Sequence, residues 1–281
     1  MIETGKKLGD FLVQAELSKG GMGTLYHAID TMLNREVTLK VIHQKFANDS
    51  KLINKFKNEA ITQAQMNHPN IVTLFSFVRI NKLYIIVMEY IRGINLYELL
   101  KKKKKLSLAD AVHYLKQILR GLNYAHQRHI IHGDIKPANI MITNEKQVKI
   151  YDFGIAKILD AYANIEDNIV LGTPIYTSPE QILGKNLDFR SDLYSLGITF
   201  YEMVTGEVPF NSKSGSSLDI EKAHLFSLPP KPSTFIPKIK EVIENFILKA
   251  IQKKPELRFQ SAIEMLGSID NFYKGKKRGN A

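Results

Sequence analysis

Two aspartates, a lysine and an asparagine lie close together in the segment 131–154 of the chain. Carboxylate and amide oxygens are ligands that Mg²⁺ prefers, a second carboxylate can accept a hydroxyl proton, and an ammonium can balance phosphate charge. These residue types suit phosphoryl transfer, with Asp134 as the base and Lys136 as the charge partner. Asn139 and Asp152 are then the candidate metal ligands.

A second candidate site is the glycine-rich loop that contains Gly20, Gly21 and Gly23 between two predicted strands. Such a loop lets backbone N–H groups approach phosphate oxygens, although an ordinary hairpin turn explains the glycines equally well. Lys40 lies in an otherwise apolar predicted strand and Glu59 in the middle of the next helix. A solvated lysine at a strand edge is the alternative to a Lys40–Glu59 pair that would bring the ammonium to the α- and β-phosphates of a nucleotide.

The elements that must position these residues change in type along the chain. Alternating apolar residues predict short antiparallel strands in the first forty or so positions, followed by one helix and two more strands. The second half is mainly helical, with two short strands around the Asn144–Glu145 turn and a helix that is apolar on nearly all sides, typical of a buried central helix. The predicted limits are helix Lys51–Met66, strands Ile71–Ile80 and Lys82–Tyr90, strands Ile140–Ile142 and Val148–Tyr151, and central helix Leu193–Val204.

The 281 residues include no cysteine and carry a net charge of +11. Disulfides and thiolate metal sites are therefore excluded. No apolar run approaches the roughly 18 residues that span a bilayer, and the first residues do not resemble a signal peptide, so we expect a cytoplasmic protein, with secretion into a host cell as the open alternative. Two basic clusters, Lys101–Lys105 and Lys274–Arg278, lack interleaved aromatic residues, and a nucleic-acid partner is not expected.

The motifs follow one another in an order that resembles the eukaryotic-like (Hanks-type) protein kinase family over about residues 8–270. The segments Phe153–Lys157 and Ser178–Gln181 are most similar to its bacterial Ser/Thr branch. The matching motifs are the glycine loop, Val37–Lys40, Glu59, His132–Asn139, Asp152–Gly154, Gly172–Glu180, Ser191–Gly197 and Arg258.

The resemblance implies a bilobal α+β fold with ATP as phosphoryl donor. Residues 1–90 would form a β-rich nucleotide-binding lobe with one main helix, residues 91–272 a helical catalytic and substrate-binding lobe, and residues 273–281 a disordered basic tail. It also implies a protein Ser/Thr substrate, Mg²⁺ or Mn²⁺ as the metal, and Thr173 as a brace for Asp134 and Lys136.

An adenine site follows from the same resemblance, with two further structural roles. Asp192 would anchor the catalytic loop, and Glu180 would form a buried ion pair with Arg258. Plain core packing explains the apolar members of the adenine set equally well. That set is Leu17, Leu25 and Met141 against the ring, Met88 behind it, and the backbone of Glu89 and Ile91 at its edge.

The chain departs from the family at Gly133, where relatives usually have an arginine that pairs with a phosphate on the activation segment. Residues 155–172 contain no serine or threonine, and Tyr162 carries the only hydroxyl there. We therefore hypothesise that Ser/Thr phosphorylation of this segment does not control activity. Smaller departures, expected to alter nucleotide affinity or helix position, are Ser18, Thr38 and Gln63.

Two other classes of function remain open at this point. A pseudokinase scaffold would not need the metal-binding carboxylate that the chain retains at Asp152. A small-molecule kinase shares the chemistry of Asp134 and Asn139, but the segment Thr173–Glu180 resembles a platform for a peptide substrate and counts against it.

Overall fold

The computed structural model describes residues 2–21, 23–47, 49–153, 174–212 and 214–278, without the side chains of Lys45, Lys55, Glu59 and residues 272–278. The described residues form two compact units. The first unit ends at Arg92 and the second begins at Gly93.

The first unit is built on a six-stranded antiparallel sheet with strand order β1-β2-β3-β4-β6-β5. Strand β4 is central and buried over most of its length, and Val37, Leu39 and Val41 contribute to the core on one face. Asn81 and Lys82 have positive φ, which makes the tight β5–β6 turn at the predicted place. The strands are β1 (Lys7–Leu8), β2 (Phe11–Lys19), β3 (Gly23–Asp30), β4 (Arg35–Ile42), β5 (Leu74–Ile80) and β6 (Leu83–Glu89).

Two helices, α1 (Gln44–Ala47) and α2 (Ser50–Ala64), connect β4 to β5. Asp49 caps α2 by accepting hydrogen bonds from the backbone N–H groups of Lys51 and Leu52. The carboxylate satisfies N–H groups that have no partner within the helix, so α2 begins at this cap.

The second unit is mainly helical and contains a small sheet with strand order β7-β8-β9. Residues 93–95 form a strand before the first helix of the unit, which the sequence did not predict. A Cβ atom on Gly93 would lie 2.2 Å from the Ile142 carbonyl oxygen, so only glycine allows this close pairing. The strands are β7 (Gly93–Asn95), β8 (Ile140–Thr143) and β9 (Val148–Ile150).

The helices of this unit surround α6, whose residues are buried on nearly all sides as predicted. Ser195, Thr199 and Thr205 are accommodated there because each hydroxyl donates to the carbonyl one turn earlier. The described helices are α3 (Leu96–Lys103), α4 (Leu108–His126), α5 (Pro179–Ile182), α6 (Phe189–Thr205), α7 (Ser217–Phe226), α8 (Glu241–Ala250) and α9 (Ala262–Arg278).

Helix α9 differs from the predicted disordered tail at residues 273–281, because it continues through Arg278. Lysine and arginine are good helix formers, and their charges interact favourably with the carboxyl end of a helix. Residues 279–281 lie outside the described residues. Among the helices of the described part of the chain, none has the length and apolar character needed to cross a bilayer.

Candidate active site

The predicted base Asp134 lies beside its predicted charge partner. Lys136 Nζ is 2.6 Å from Asp134 Oδ2, and both side chains are about one-third exposed. Asn139 Nδ2 donates to the same Oδ2 at 2.9 Å and to the Asp134 carbonyl oxygen at 2.8 Å. Pro137 begins the 3₁₀ turn that brings Asn139 back toward Asp134. The structure therefore brings together three of the predicted site residues.

Asp192 anchors the backbone of this loop, as the resemblance implied. Its Oδ2 accepts from the His132 N–H at 2.9 Å and from His126 Nε2 at 2.8 Å, and its Oδ1 accepts from the Gly133 N–H at 2.8 Å. The residue is 1% exposed. Burial by itself would raise the pKa of the Asp192 carboxyl, but the hydrogen bond from His126 and the other donors lower it below its ordinary value.

His132 connects the loop to the chain before Asp152. Its ring is fully buried and lies 4.6 Å from the Phe153 ring, measured between centroids. Nδ1 accepts from the Asp134 N–H at 3.1 Å, and Nε2 donates to the Tyr151 carbonyl oxygen at 2.7 Å. This pattern defines a neutral imidazole with its proton on Nε2.

Asn139 and Asp152 fit the predicted metal chemistry. The Tyr151 N–H donates to the Asn139 carbonyl oxygen at 2.9 Å, so Asp152 directly follows the residue that is paired with Asn139. Asp152 has a φ of 60°, a conformation that is costly for a residue with a side chain. The described residues contain no group of three or more histidine and acidic side chains that could hold a metal ion. Two oxygen ligands match the usual binding of Mg²⁺, which takes its other ligands from phosphates and water.

The segment that precedes and begins α5 contacts the same loop. Gln181 Oε1 accepts from the backbone N–H of Ser178 at 3.1 Å and from its hydroxyl at 2.9 Å, which completes a capping box. Gln181 Nε2 donates to the Gly133 carbonyl oxygen at 2.7 Å. The Ser-x-x-Gln spacing indicates the cap, but no local pattern indicates the contact with Gly133.

Two further side chains fix the residues just before this cap. His224 Nε2 donates to the Ile175 carbonyl oxygen at 2.9 Å, and the Tyr194 hydroxyl lies 2.8 Å from His224 Nδ1. The Tyr176 hydroxyl donates to Glu202 Oε2 at 2.7 Å. Burial raises the pKa of Tyr176 and of Glu202. Sequence analysis did not identify His224 or Glu202, since neither lies in a recognisable motif.

The buried ion pair predicted in this unit is present. Arg258 Nη1 and Nη2 lie 2.7 and 2.8 Å from Glu180 Oε1 and Oε2, and the Ser191 hydroxyl donates to Oε1 at 2.7 Å. Burial would raise the pKa of Glu180, but the hydrogen bonds from Arg258 lower it. The arrangement joins α5 to the start of α6 and to the chain before α9.

In the first unit, the glycine loop joins β2 and β3. The Gly20 N–H donates to the Gly23 carbonyl oxygen at 2.9 Å. A Cβ atom on Gly23 would lie 2.4 Å from the Val41 carbonyl oxygen, so the close approach of β3 and β4 requires glycine there. Gly21 is exposed at the tip of the loop.

Lys40 lies on β4 with Leu25 of β3 and Ile86 of β6 as its cross-strand neighbours. It is 7% exposed, which rules out the alternative of a solvated edge lysine. The side chain of Glu59 lies outside the described residues, and so does Thr173, so their predicted contacts stay predictions.

The predicted adenine residues divide between the units. Met88 and Ile91 are buried, Leu17 is exposed, and the Glu89 N–H donates to the Thr73 carbonyl oxygen at 2.9 Å. Met141, on β8, belongs to the second unit.

The polar residue Gln63 is buried on α2, and its Nε2 donates to the Val72 carbonyl oxygen at 3.5 Å. The hydroxyl of Thr38 is buried on β4 and has no partner among the described residues. Residues 154–173, including the hydroxyl-poor segment, lie outside the described residues.

An antiparallel sheet unit followed by a helical unit that carries an Asp-Lys-Asn loop is the arrangement that the resemblance to protein kinases implied. The model of the protein kinase domain matches residues 11–268. The chain belongs to the protein kinase family.

Several of its curated relatives are bacterial serine/threonine-protein kinases. PrkC of Bacillus subtilis is 36% identical over 266 residues, which cover 94% of this chain and 41% of PrkC. A probable serine/threonine-protein kinase of Clostridium acetobutylicum is 38% identical over 261 residues, which cover 93% of this chain and 39% of that protein. PknA of Mycobacterium tuberculosis is 38% identical over 259 residues, which cover 90% of this chain and 59% of PknA. The chain spans about two fifths to three fifths of the length of these relatives.

The crystal structure of the PknI kinase domain of Mycobacterium tuberculosis has the same fold. Its TM-score is 0.77 at 24% identity, covering 96% of this chain and 99% of that domain. The predicted kinase fold of class α+β and the resemblance to the bacterial Ser/Thr branch are confirmed.

Proposed function

We propose that this chain transfers the γ-phosphate of ATP to serine or threonine hydroxyls of a protein. The observation that carries the proposal is the triplet of Asp134, Lys136 and Asn139. Both side-chain donors meet Oδ2 of Asp134, and Oδ1 accepts no hydrogen bond within the described part of the chain. An acceptor oxygen is thus available to orient and deprotonate an attacking hydroxyl.

The remaining roles are assigned by the motif each residue occupies. Asn139 and Asp152 would bind Mg²⁺, or Mn²⁺ in its place, since the two ions prefer similar ligands. The metal would neutralise phosphate charge during transfer. Lys40, paired with Glu59, would bind the α- and β-phosphates, and Thr173 would brace the base. Nucleotide contacts would come from the glycine loop and the adenine set given above.

The close arrangement of the side chains in the loop favours an active enzyme over a pseudokinase scaffold. A scaffold gains nothing from holding Asp134, Asn139 and Lys136 within hydrogen-bonding distance of one another. A protein substrate is favoured over a small molecule because segment 174–182 is held in place: His224 of α7 bonds the Ile175 carbonyl oxygen, and Glu202 of α6 bonds the Tyr176 hydroxyl. The lobes 1–90 and 91–272 and a cytoplasmic location remain part of the proposal.

We further propose that Ser/Thr phosphorylation of residues 155–172 does not control activity. Gly133 has a φ of 77°, in the left-handed region that glycine adopts without strain, whereas a side chain there costs roughly 1–2 kcal/mol. Its N–H already donates to Asp192. This bond holds the loop at Gly133 without a phosphate, which supports the proposal.

The test is transfer of radiolabelled phosphate from ATP to myelin basic protein and to the chain itself. Asp134→Asn and Lys40→Met should each lower the signal at least a hundredfold, and phosphatase treatment of the wild-type chain should leave it unchanged. Equal signals from wild type, Asp134→Asn and Lys40→Met would refute the proposed kinase activity. Loss of activity on phosphatase treatment, with a phosphate mapped to residues 155–172, would refute only the proposal that phosphorylation of this segment does not control activity.

A further inference from the structure

The peptide group between Gly133 and Asp134 is bonded at both of its polar ends. Its carbonyl oxygen accepts from Gln181 Nε2 at 2.7 Å, and its N–H donates to His132 Nδ1 at 3.1 Å. A peptide group is planar, so bonds at its two ends fix its orientation. That orientation sets the direction in which the Cα atom of Asp134 continues, and hence where the carboxylate lies.

Gln181 can impose this orientation because its own amide is held at the other end. Oε1 accepts from the Ser178 N–H and the Ser178 hydroxyl, which also identifies Nε2 as the donor toward Gly133. Ser178 is fully buried, and Pro179 begins α5 directly after it. Gln181 therefore lies on a well-supported turn of helix.

Gly133 needs such a restraint more than other residues of the loop. Glycine has the widest range of backbone conformations, and no side chain packs to limit it. The Gly133 N–H is bonded to Asp192 and its carbonyl oxygen to Gln181, so both of its backbone polar groups have protein partners. Without the Gln181 bond, the Gly133–Asp134 peptide group would keep only the hydrogen bond of its N–H to His132.

We propose that Gln181 is a positioning residue for phosphoryl transfer, which joins α5 to the peptide group that carries the catalytic base. The bond is neutral, forms within the fold and requires no phosphate. This inference rests on the proposed function. Gln181 acts through Gly133 and contacts no reacting atom.

The substitution Gln181→Glu separates the two contacts of the amide. The introduced carboxylate still accepts from Ser178, but it presents an oxygen instead of an N–H to the Gly133 carbonyl. We expect kcat on myelin basic protein to fall roughly tenfold at neutral pH, with the KM for ATP within about twofold of wild type, because a displaced base slows chemistry without altering nucleotide binding. As the pH falls toward the pKa of the introduced carboxyl, the loss should narrow, since a protonated carboxyl can donate to Gly133.

Two further variants make the test specific. Gln181→Met removes both contacts, and its loss of activity relative to wild type should not change with pH. Ser178→Ala removes one of the two donors to Gln181 Oε1 but leaves the Ser178 N–H and the Gln181–Gly133 bond, so it should lose less activity than Gln181→Met. Thermal unfolding of each protein separates a positioning effect from a loss of folded protein.

The proposal is overturned if Gln181→Glu has wild-type kcat, or if its loss has the same pH dependence as that of Gln181→Met. Should Gln181→Glu fail to fold, Gln181→Met decides, and a wild-type kcat in that variant overturns the proposal. In all these outcomes the wild-type chain still shows transfer that Asp134→Asn abolishes. If the wild-type chain shows no such transfer, the proposed function fails as well.

Discussion

Asp134 and Asp192 are aspartates of the same unit whose surroundings are opposite. Asp192 is 1% exposed, and its two oxygens accept three hydrogen bonds from His126 and the backbone of the loop. The Asp134 side chain is 37% exposed, and its donors among the described residues meet one oxygen only. A carboxylate surrounded by donors can anchor a backbone but cannot take up a proton, whereas one with an oxygen left over can do chemistry. The unit thus separates a buried anchor, Asp192, from an exposed carboxylate, Asp134, which is the proposed base.

The largest effect is expected from substitution of the exposed aspartate, Asp134. Asp134→Asn should lower the rate of transfer to myelin basic protein by about 10²–10⁴-fold, since the amide cannot accept the hydroxyl proton. The midpoint of urea unfolding should stay within experimental error of wild type, because the side chain is exposed. A large loss of stability in this variant would show that Asp134 is an anchor like Asp192.

The buried Glu180–Arg258 pair should show the converse behaviour. Arg258→Met leaves the Glu180 carboxylate buried without its partner and should lower the free energy of unfolding by about 3–5 kcal/mol, measured by urea denaturation. Lys249→Met removes an exposed pair with Glu264 and serves as the control, with an expected cost below about 1 kcal/mol. Equal effects of the two substitutions would contradict the distinction between buried and exposed charges.

A buried histidine should make stability depend on pH. Burial, and then the charge of Lys253, lower the pKa of His224 from 6.5 to about 4, while its bond to the Ile175 carbonyl opposes the shift. Tyr194 faces the other ring nitrogen, and Arg258 lies 4.7 Å above the Tyr194 ring. The unfolded chain then binds a proton that the folded chain does not, so stability should fall as pH decreases from about 6.5 to 4, by up to about 3 kcal/mol in total.

The measurement is a series of urea denaturation curves over this pH range for wild type and His224→Gln. The amide of glutamine does not titrate, so the variant should lose the part of the slope that His224 contributes. An identical slope in the two proteins would contradict the prediction. It would show that His224 is protonated in the folded chain over this pH range, or that its pKa is the same in the folded and the unfolded chain.

The smallest expected effect concerns the Tyr176–Glu202 contact. Tyr176→Phe removes one hydroxyl donor to a half-buried carboxyl and should lower the free energy of unfolding by about 1–2 kcal/mol. Tyr201→Phe is the matched control, since its hydroxyl donates to the neutral carbonyl of Pro230, and a smaller loss is expected. A larger loss for Tyr201→Phe would argue against a special role of the charged acceptor.

Much of the fold was predictable because its signals are local. Strand alternation, the apolar stripe of α4 and the nearly uniform apolar character of α6 each follow from the side chains of one element. The start of α2 differed by one residue, because the cap at Asp49 and not the first apolar residue sets it. Strand β7 was missed, because its pairing depends on the distant Ile142.

The sequence by itself determined which chemistry to expect of this protein, since Asp134, Lys136, Asn139 and Asp152 occur in a spacing and order that few other functions require. Only the tertiary structure decided what supports that chemistry. The Gln181–Gly133 and His224–Ile175 bonds each join positions more than forty residues apart. The packing of the elements decides which side chain meets which backbone group in such a bond, and local sequence periodicity does not predict it.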